Sequence, residues 1–413
     1  MKARTAGVWR VLIPIGLGTT LSLLGDTAMY AVLPTHTAAL GVTVASVGIL
    51  LSANRWIRLA LNNVAGVAYD RWPRRWLFVT ALFVGALSTA LYAFAQGFWP
   101  LVIARLLWGA AWSGIWVGGN TIILDVATDR QRGRWAGLYQ LSFYLGGVLG
   151  FPIGGLLTDA LGFRAALAIA AGVGVAGAVL ALLFLPETRG ASPAVSVPAA
   201  PADTPPPEVT AGGWPGWRDP IVLATVLYSA NRFVLAGLVS ATLALLVQAR
   251  WGETRFNGVV IGVATVTGGL LGVNTLVSML AAPLAGHYSD RAQHRGWVAG
   301  LGLAGGALGL GILAGGPPAA LLPGVALCAL AGGATQSVST ALLGDVTAVS
   351  RRGRTLGWMH TFGDLSSAIA PPLAYALLPG FGLAGLYWAC ALGLGALAAW
   401  TLRLARAPHP AAA

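Results

Sequence analysis

Apolar runs of about twenty residues recur along almost the whole chain, separated by short breaks of charged or turn-forming residues. Such a run is the length a helix needs to cross the hydrocarbon core of a bilayer. Inside lipid, a helix also satisfies its own backbone groups. Read between the breaks, the pattern predicts twelve helices, at 11–33, 44–68, 76–95, 100–124, 134–158, 164–186, 220–248, 257–285, 296–315, 319–343, 354–378 and 381–403. The expected fold class is an all-α membrane protein with twelve transmembrane helices in two six-helix bundles. Between the sixth and seventh spans the stretch 187–219 turns rich in Pro, Ala and Thr, with the run Pro205-Pro206-Pro207, and reads as an extended cytoplasmic linker. The expected domains are thus an N-terminal bundle (1–186), this linker, and a C-terminal bundle with a short cytoplasmic tail (220–413).

The layout can be tested by asking whether Lys and Arg sort to one side, because basic loops stay cytoplasmic. Of the 25 basic residues, 18 fall in segments the layout places inside and three (Arg164, Arg250 and Arg255) in outer loops, while Arg55, Arg58, Arg105 and Arg232 lie within spans. The net charge of +12 is therefore topological, and nucleic acid is not an expected partner. The composition agrees, with 56% hydrophobic and only 9% charged residues. The expected location is a bacterial-type inner membrane, with both termini cytoplasmic. No A-x-A-like site follows the basic start at Lys2, Arg4 and Arg10, so the first helix is expected to be retained. Cys328 and Cys390 both fall in apolar segments, where a thiol acts as a small hydrophobe. Neither a metal nor a cofactor is expected.

Self-comparison gives the most specific signal, a repeat at an offset of 220 residues. Asn54 matches Asn274, Gly66 matches Gly286, and Asp70-Arg71 matches Asp290-Arg291. Farther on, Asp125 matches Asp345, Arg132-Gly133-Arg134 matches Arg352-Gly353-Arg354, and Pro152 matches Pro372. One offset without insertion means two duplicated units in the same membrane orientation.

At these residues the chain resembles the major facilitator superfamily over essentially its full length. The segment Gly66-Val67-Ala68-Tyr69-Asp70-Arg71-Trp72-Pro73-Arg74-Arg75 is similar to that family's loop G-x-x-x-D-R-x-G-R-R, with Pro73 in place of the second Gly. The copy from Gly286 to Arg295 carries Gln293 and His294 where Gly and Arg would stand. The resemblance implies a conformational gate built from Gly66, Asp70, Arg71, Arg75, Asp125, Arg132 and Arg134, with Asp290, Arg291, Asp345, Arg352 and Arg354 as their repeats. The alternative reading of each Arg is a positive-inside anchor. Arg105 with Gly109 resembles the R-x-x-x-G core found in proton-coupled members. Gly150-Phe151-Pro152-Ile153-Gly154-Gly155 is similar to the exporter motif G-P-x-x-G-G with Pro moved by one place. Pro186-Glu187-Thr188-Arg189-Gly190 resembles a sugar-porter signature and marks a helix end.

Charges deep in a bilayer cost at least about 2.5 kcal/mol each, so each is a candidate functional group. Asp26 is the first candidate proton carrier, since a carboxylate in a low-dielectric cavity can exchange its proton as access alternates. The alternative is a structural ion pair with Arg55 or Arg58. Asp364 is the second candidate, and His360, one helical turn before it, is a candidate relay or a hydrogen-bonded bystander. Arg55, Arg58, Arg232, Asn120, Asn231, Trp112 and Trp116 join Asp26 as candidate cavity residues.

No metal-site spacing, nucleophile elbow or phosphate loop occurs, which argues against an enzyme and against ATP-driven transport. The expected function is proton-coupled efflux of a small amphipathic molecule by alternating access, from a monomer whose partners are that solute, protons and the bilayer. Uptake or exchange of an organic anion held by the embedded Arg is the alternative, and a non-transporting membrane receptor is the alternative of another class.

Overall fold

A computed structural model describes residues 2–128, 131–190, 219–252, 254–256, 259–292, 295–347 and 351–406. The expected linker lies outside the described residues from 191 to 218. Among the described residues ten long helices come first, α1 (Lys2–Val32), α2 (Val44–Arg71), α3 (Arg74–Phe94), α4 (Phe98–Val126), α5 (Arg132–Leu161), α6 (Phe163–Phe184), α7 (Pro220–Arg250), α8 (Val263–Arg291), α9 (Arg295–Gly315) and α10 (Leu321–Val346). A last helical run, Arg352–Arg406, is broken at Gly382 (φ 64°, ψ 172°) into α11 (352–381) and α12 (383–406). Among the described residues, eleven continuous helical runs are long and apolar enough to cross a membrane, and the break at Gly382 makes twelve spans of them. The all-α membrane fold read from the hydropathy pattern is the fold observed.

Two helix starts differ by more than two residues from the sequence expectation, for local reasons. The first helix starts at Lys2 rather than 11, because helical propensity continues through its basic head. The eighth starts at Val263 rather than 257, because a short antiparallel ribbon, β1 (Thr254–Phe256) and β2 (Val259–Ile261), precedes it with Arg255 opposite Val260. β-Branched Val259, Val260 and Ile261 favour that extended form. Glycine makes two of the tightest turns, Gly162 between α5 and α6 (φ 81°) and Gly382 between α11 and α12 (φ 64°). These two are 220 residues apart, so the duplication extends to the turn that only glycine adopts readily.

Contacts sort the chain into two compact units. The first comprises Met1–Ser192, Val239–Leu276 and Pro371–Pro379, and the second Pro193–Leu238, Val277–Ala370 and Gly380–Ala413. In the first unit α1 packs along α5 and α6, α2 on α4, and α3 on α4 and α6. Glycines on every fourth residue of α5 let α1 approach. A Cβ on Gly146 would lie 2.5 Å from Leu23 Cδ1, one on Gly150 2.5 Å from Thr27 Oγ1, and one on Gly154 2.8 Å from Ala28 Cβ. Spacing small residues in this way substitutes for the hydrophobic drive that is missing between helices in lipid. The interior of the unit holds Trp108, Trp135, Tyr69, Tyr92, Tyr139 and Phe78, all buried. In the second unit α9 packs on α10 and α10 on the first part of α7. There a Cβ on Gly309 would sit 2.7 Å from the Gly324 carbonyl oxygen.

Candidate functional site

The first polar centre lies inside the first unit. Asp26 comes from the C-terminal part of α1 and Arg105 from α4, and Arg105 Nη1 lies 2.5 Å from Asp26 Oδ1. The Arg105 side chain is fully buried and that of Asp26 is 14% exposed. Its other donors are used on α2, where Nε donates to the Leu50 carbonyl at 3.0 Å and Nη2 to that of Leu51 at 3.3 Å. Gly109, one turn along α4, explains how α2 comes so close, because a Cβ there would overlap Asn54 O and Ile57 Cγ2. The R-x-x-x-G spacing is thus one contact: the Arg donates to α2 and the Gly makes room for it. The rings of Tyr30 and Tyr92 flank the guanidinium, each centroid 5.9 Å away. Tyr30 OH also accepts from Arg55 Nη2 at 3.1 Å, which links Arg55 to the same centre. Neither tyrosine stands out in the sequence, since nothing in its spacing marks a ring against an arginine.

Beside this centre, Trp108, Trp112 and Trp116 form a column on α4. Their centroids are 6.1 and 5.9 Å apart and their planes tilt by 30° and 18°. Phe143 of α5 meets both Trp112 and Trp116, at 5.7 and 5.8 Å. Trp112 is buried, Trp116 half-buried and Phe143 exposed, so the column ends in an open aromatic edge. Asn120 is turned back on its own helix, donating to the Trp116 carbonyl at 2.7 Å. Arg58 is half-buried on α2, one turn beyond Arg55.

The second polar centre lies in the second unit. Arg232 Nη2 lies 3.2 Å from Asp364 Oδ1, and Tyr228 OH is 2.9 Å from His360 Nδ1. Tyr228 and Arg232 are one turn apart on α7, as are His360 and Asp364 on α11. Gly363 between the last two admits the Tyr228 ring, which a Cβ would overlap. Asn231 donates to the Gly332 carbonyl of α10 at 3.1 Å. Here α7 leaves α-helical geometry, with Arg232–Val239 forming a π-helical segment. Such segments are frequent at functional sites. The pattern of apolar residues does not encode it.

The expected gate residues sit at the arginine-rich helix ends. In the first unit Asp125 Oδ2 lies 3.0 Å from Arg74 Nε and accepts from Thr188 Oγ1 at 3.0 Å. Arg74, not singled out from the sequence, makes this pair, and it also donates to the Tyr69 carbonyl. Arg75 turns instead to the Leu182 carbonyl at 2.5 Å and stacks on Trp76. The cause is Pro73, which starts α3 at Arg74. In the second unit Arg295 starts α9 and reaches Asp290 and Asp345 together. Asp70 and Arg71 have exposed side chains, and their carbonyls accept from Arg189. Gly66 faces open space, Arg134 stacks on Trp135, and Arg132, Arg291 and Arg354 are exposed. The side chain of Arg352 lies outside the described residues.

The turn after α6 ties these ends together. Glu187 accepts from the backbone N–H groups of Arg74 at 2.9 Å, Arg75 at 3.1 Å, Thr188 at 3.0 Å and Arg189 at 2.9 Å. Partial burial pushes the Glu187 carboxyl up, and the four N–H donors outweigh it, so the group sits below its usual range. On α5, Gly150 and Gly154 face α1 as described. Gly155 faces Ala264 of α8, and Pro152 faces Gly272.

Duplicated sets of spans, each with an acid held by an arginine of a neighbouring helix, define a polytopic membrane protein of internally repeated type. The profile of the Major Facilitator Superfamily matches residues 15–270 and 221–413, and the chain belongs to that family. Among curated relatives it is 30% identical over 168 residues to "Probable 4-methylmuconolactone transporter" of Cupriavidus pinatubonensis, covering 40% of this chain and 39% of that protein. It is also 30% identical over 160 residues to "Probable sugar efflux transporter" of Helicobacter pylori, covering 37% and 40%. The matched region thus spans about two fifths of the length of these relatives. Among solved structures, a bacterial homolog of the human lysosomal transporter Spinster, inward-facing and occupied, superposes with a TM-score of 0.72 at 16% identity over 96% of this chain and 98% of that one. A peptide transporter of the POT type gives 0.71 at 15% identity over 98% and 99%. At these identities the likeness is one of fold.

Proposed function

We propose that the protein is a secondary transporter working by alternating access, which couples proton entry to the efflux of small amphipathic solutes. The observation that carries this reading is the buried Asp26–Arg105 pair. A carboxylate in a largely dry site is a proton acceptor whose charge state is worth several kcal/mol to its surroundings. Protonation of Asp26 would remove the charge that Arg105 pairs with and loosen α1 from α4. In the second centre, Asp364 and His360 supply a second pair of proton-exchanging groups, with Arg232 and Tyr228 as their partners. The open edge of the tryptophan column suits the apolar part of a solute. Efflux agrees with the name of one relative. Of the four embedded arginines, Arg105 and Arg232 are paired with the two embedded aspartates, so the charge balance selects no head group.

Proteoliposomes holding a pH dye, challenged in turn with cationic, neutral and anionic amphiphiles, test the reading. Proton entry that accompanies outward movement of cationic or neutral amphiphiles supports it. Proton movement with anions alone sinks the solute assignment, and transport without proton movement sinks the coupling.

A further inference from the structure

Two helix crossings in the first unit share the 220-residue offset of the sequence repeat. A Cβ on Gly48 of α2 would lie 2.6 Å from the Pro371 carbonyl oxygen on α11, and one on Gly268 of α8 would overlap the Phe151 carbonyl oxygen on α5. Gly48 and Gly268 are 220 residues apart, and so are Phe151 and Pro371. Each crossing sets backbone on backbone where only glycine fits. Both lie toward the arginine-poor ends of their helices, the outer side in the expected orientation.

The symmetry breaks one step farther out. Asp159 of α5 accepts the backbone N–H of Thr265, in the first turn of α8, at 2.7 Å. Gly262 precedes α8, and a Cβ on it would overlap the Asp159 carboxyl group, so glycine is what admits the acid. One turn back, Gly155 lies against the Ala264 carbonyl in the same way. At the other crossing the position matching Asp159 is Pro379, which has no carboxylate, and Thr43 caps α2 without a side-chain hydrogen bond. One crossing therefore carries a negative charge on a positive helix end. Its twin does not.

We propose that Asp159 is a positioning residue of the transport cycle, a one-sided latch that holds α8 against α5 and sets how much of the protein rests with this end shut. Its effect on flux rests on the transporter reading. The latch itself can be read without any solute.

The test uses Thr275→Cys as reporter, since Thr275 faces Gly147 of α5 within the same seam, in a Cys328→Ser, Cys390→Ser background. A membrane-impermeant maleimide is added from the outer side of oriented vesicles. Asp159→Ala should raise the labelling rate on the order of tenfold, and Asp159→Asn about threefold, because the amide keeps an oxygen acceptor but loses the charge. Gly268→Leu, which forces the crossing apart, should raise it as well. Thermal melts of each variant confirm folding. An unchanged rate in both Asp159 variants while Gly268→Leu responds overturns the latch, and no response from Gly268→Leu overturns the crossing as a closure. Labelling needs no solute, so a failed transport screen leaves this result standing.

Discussion

Replacing Asp26 and Arg105 singly and together measures whether they act as one unit. Asp26→Asn leaves a fully buried guanidinium without its carboxylate, and removing one partner of a buried pair costs about 3–5 kcal/mol. The lower end applies, about 3 kcal/mol, because the Leu50 and Leu51 carbonyls still accept from Arg105. Arg105→Gln strands the acid and strips those carbonyls of their donors, so about 4 kcal/mol is expected. With both replaced no charge is left behind, and the total should remain near 4 kcal/mol instead of reaching about 7. The coupling energy is then about 3 kcal/mol, read from denaturant unfolding of the four proteins in mixed micelles. Additivity within about 0.5 kcal/mol would refute the pairing.

Two further predictions concern the frame around this centre. Gly109→Val should destabilise by about 1–3 kcal/mol, because even the first added carbon overlaps α2; a melting temperature equal to that of the parent would contradict the contact. Glu187→Gln should lower stability at neutral pH, with a sign that follows from the depressed carboxyl. A group held below its usual 4.5 stabilises the fold above that value and loses the contribution as pH falls through its folded value. Melting curves of parent and variant should therefore differ at pH 7 and converge toward pH 3. A gap that widens on acidification would reverse the assignment.

The spans and the duplication were legible in the sequence because each depends on a pattern with a single physical cause. Lipid demands apolar length, and the 220-residue offset persists even at Gly162 and Gly382, where a turn requires positive φ. The pairing of charges was legible only in part. Asp26 and Arg105 are each marked by sitting where charge is costly, yet the sequence pairs Asp26 with Arg55 or Arg58, and the structure corrects this to Arg105. Only the packing of α1 on α4 brings Arg105 to it. The exchange of Arg74 for Arg75 depends on where Pro73 starts a helix, a one-residue matter that hydropathy cannot resolve. Tyr30, Tyr228 and Asp159 carry no mark in the sequence because the contact of each is with a partner on another helix. The ribbon before α8 was hidden in an apolar run that periodicity alone could not separate from helix.

The central claim is that solute movement is coupled to protons through Asp26. Its most direct test is transport against a solute gradient in proteoliposomes under an imposed pH difference, with the Asp26→Asn protein alongside. Uphill solute movement by the parent should reverse with the sign of the pH difference, and the variant should show only downhill exchange. Uphill movement that ignores the pH difference, or that survives unchanged in Asp26→Asn, would contradict it.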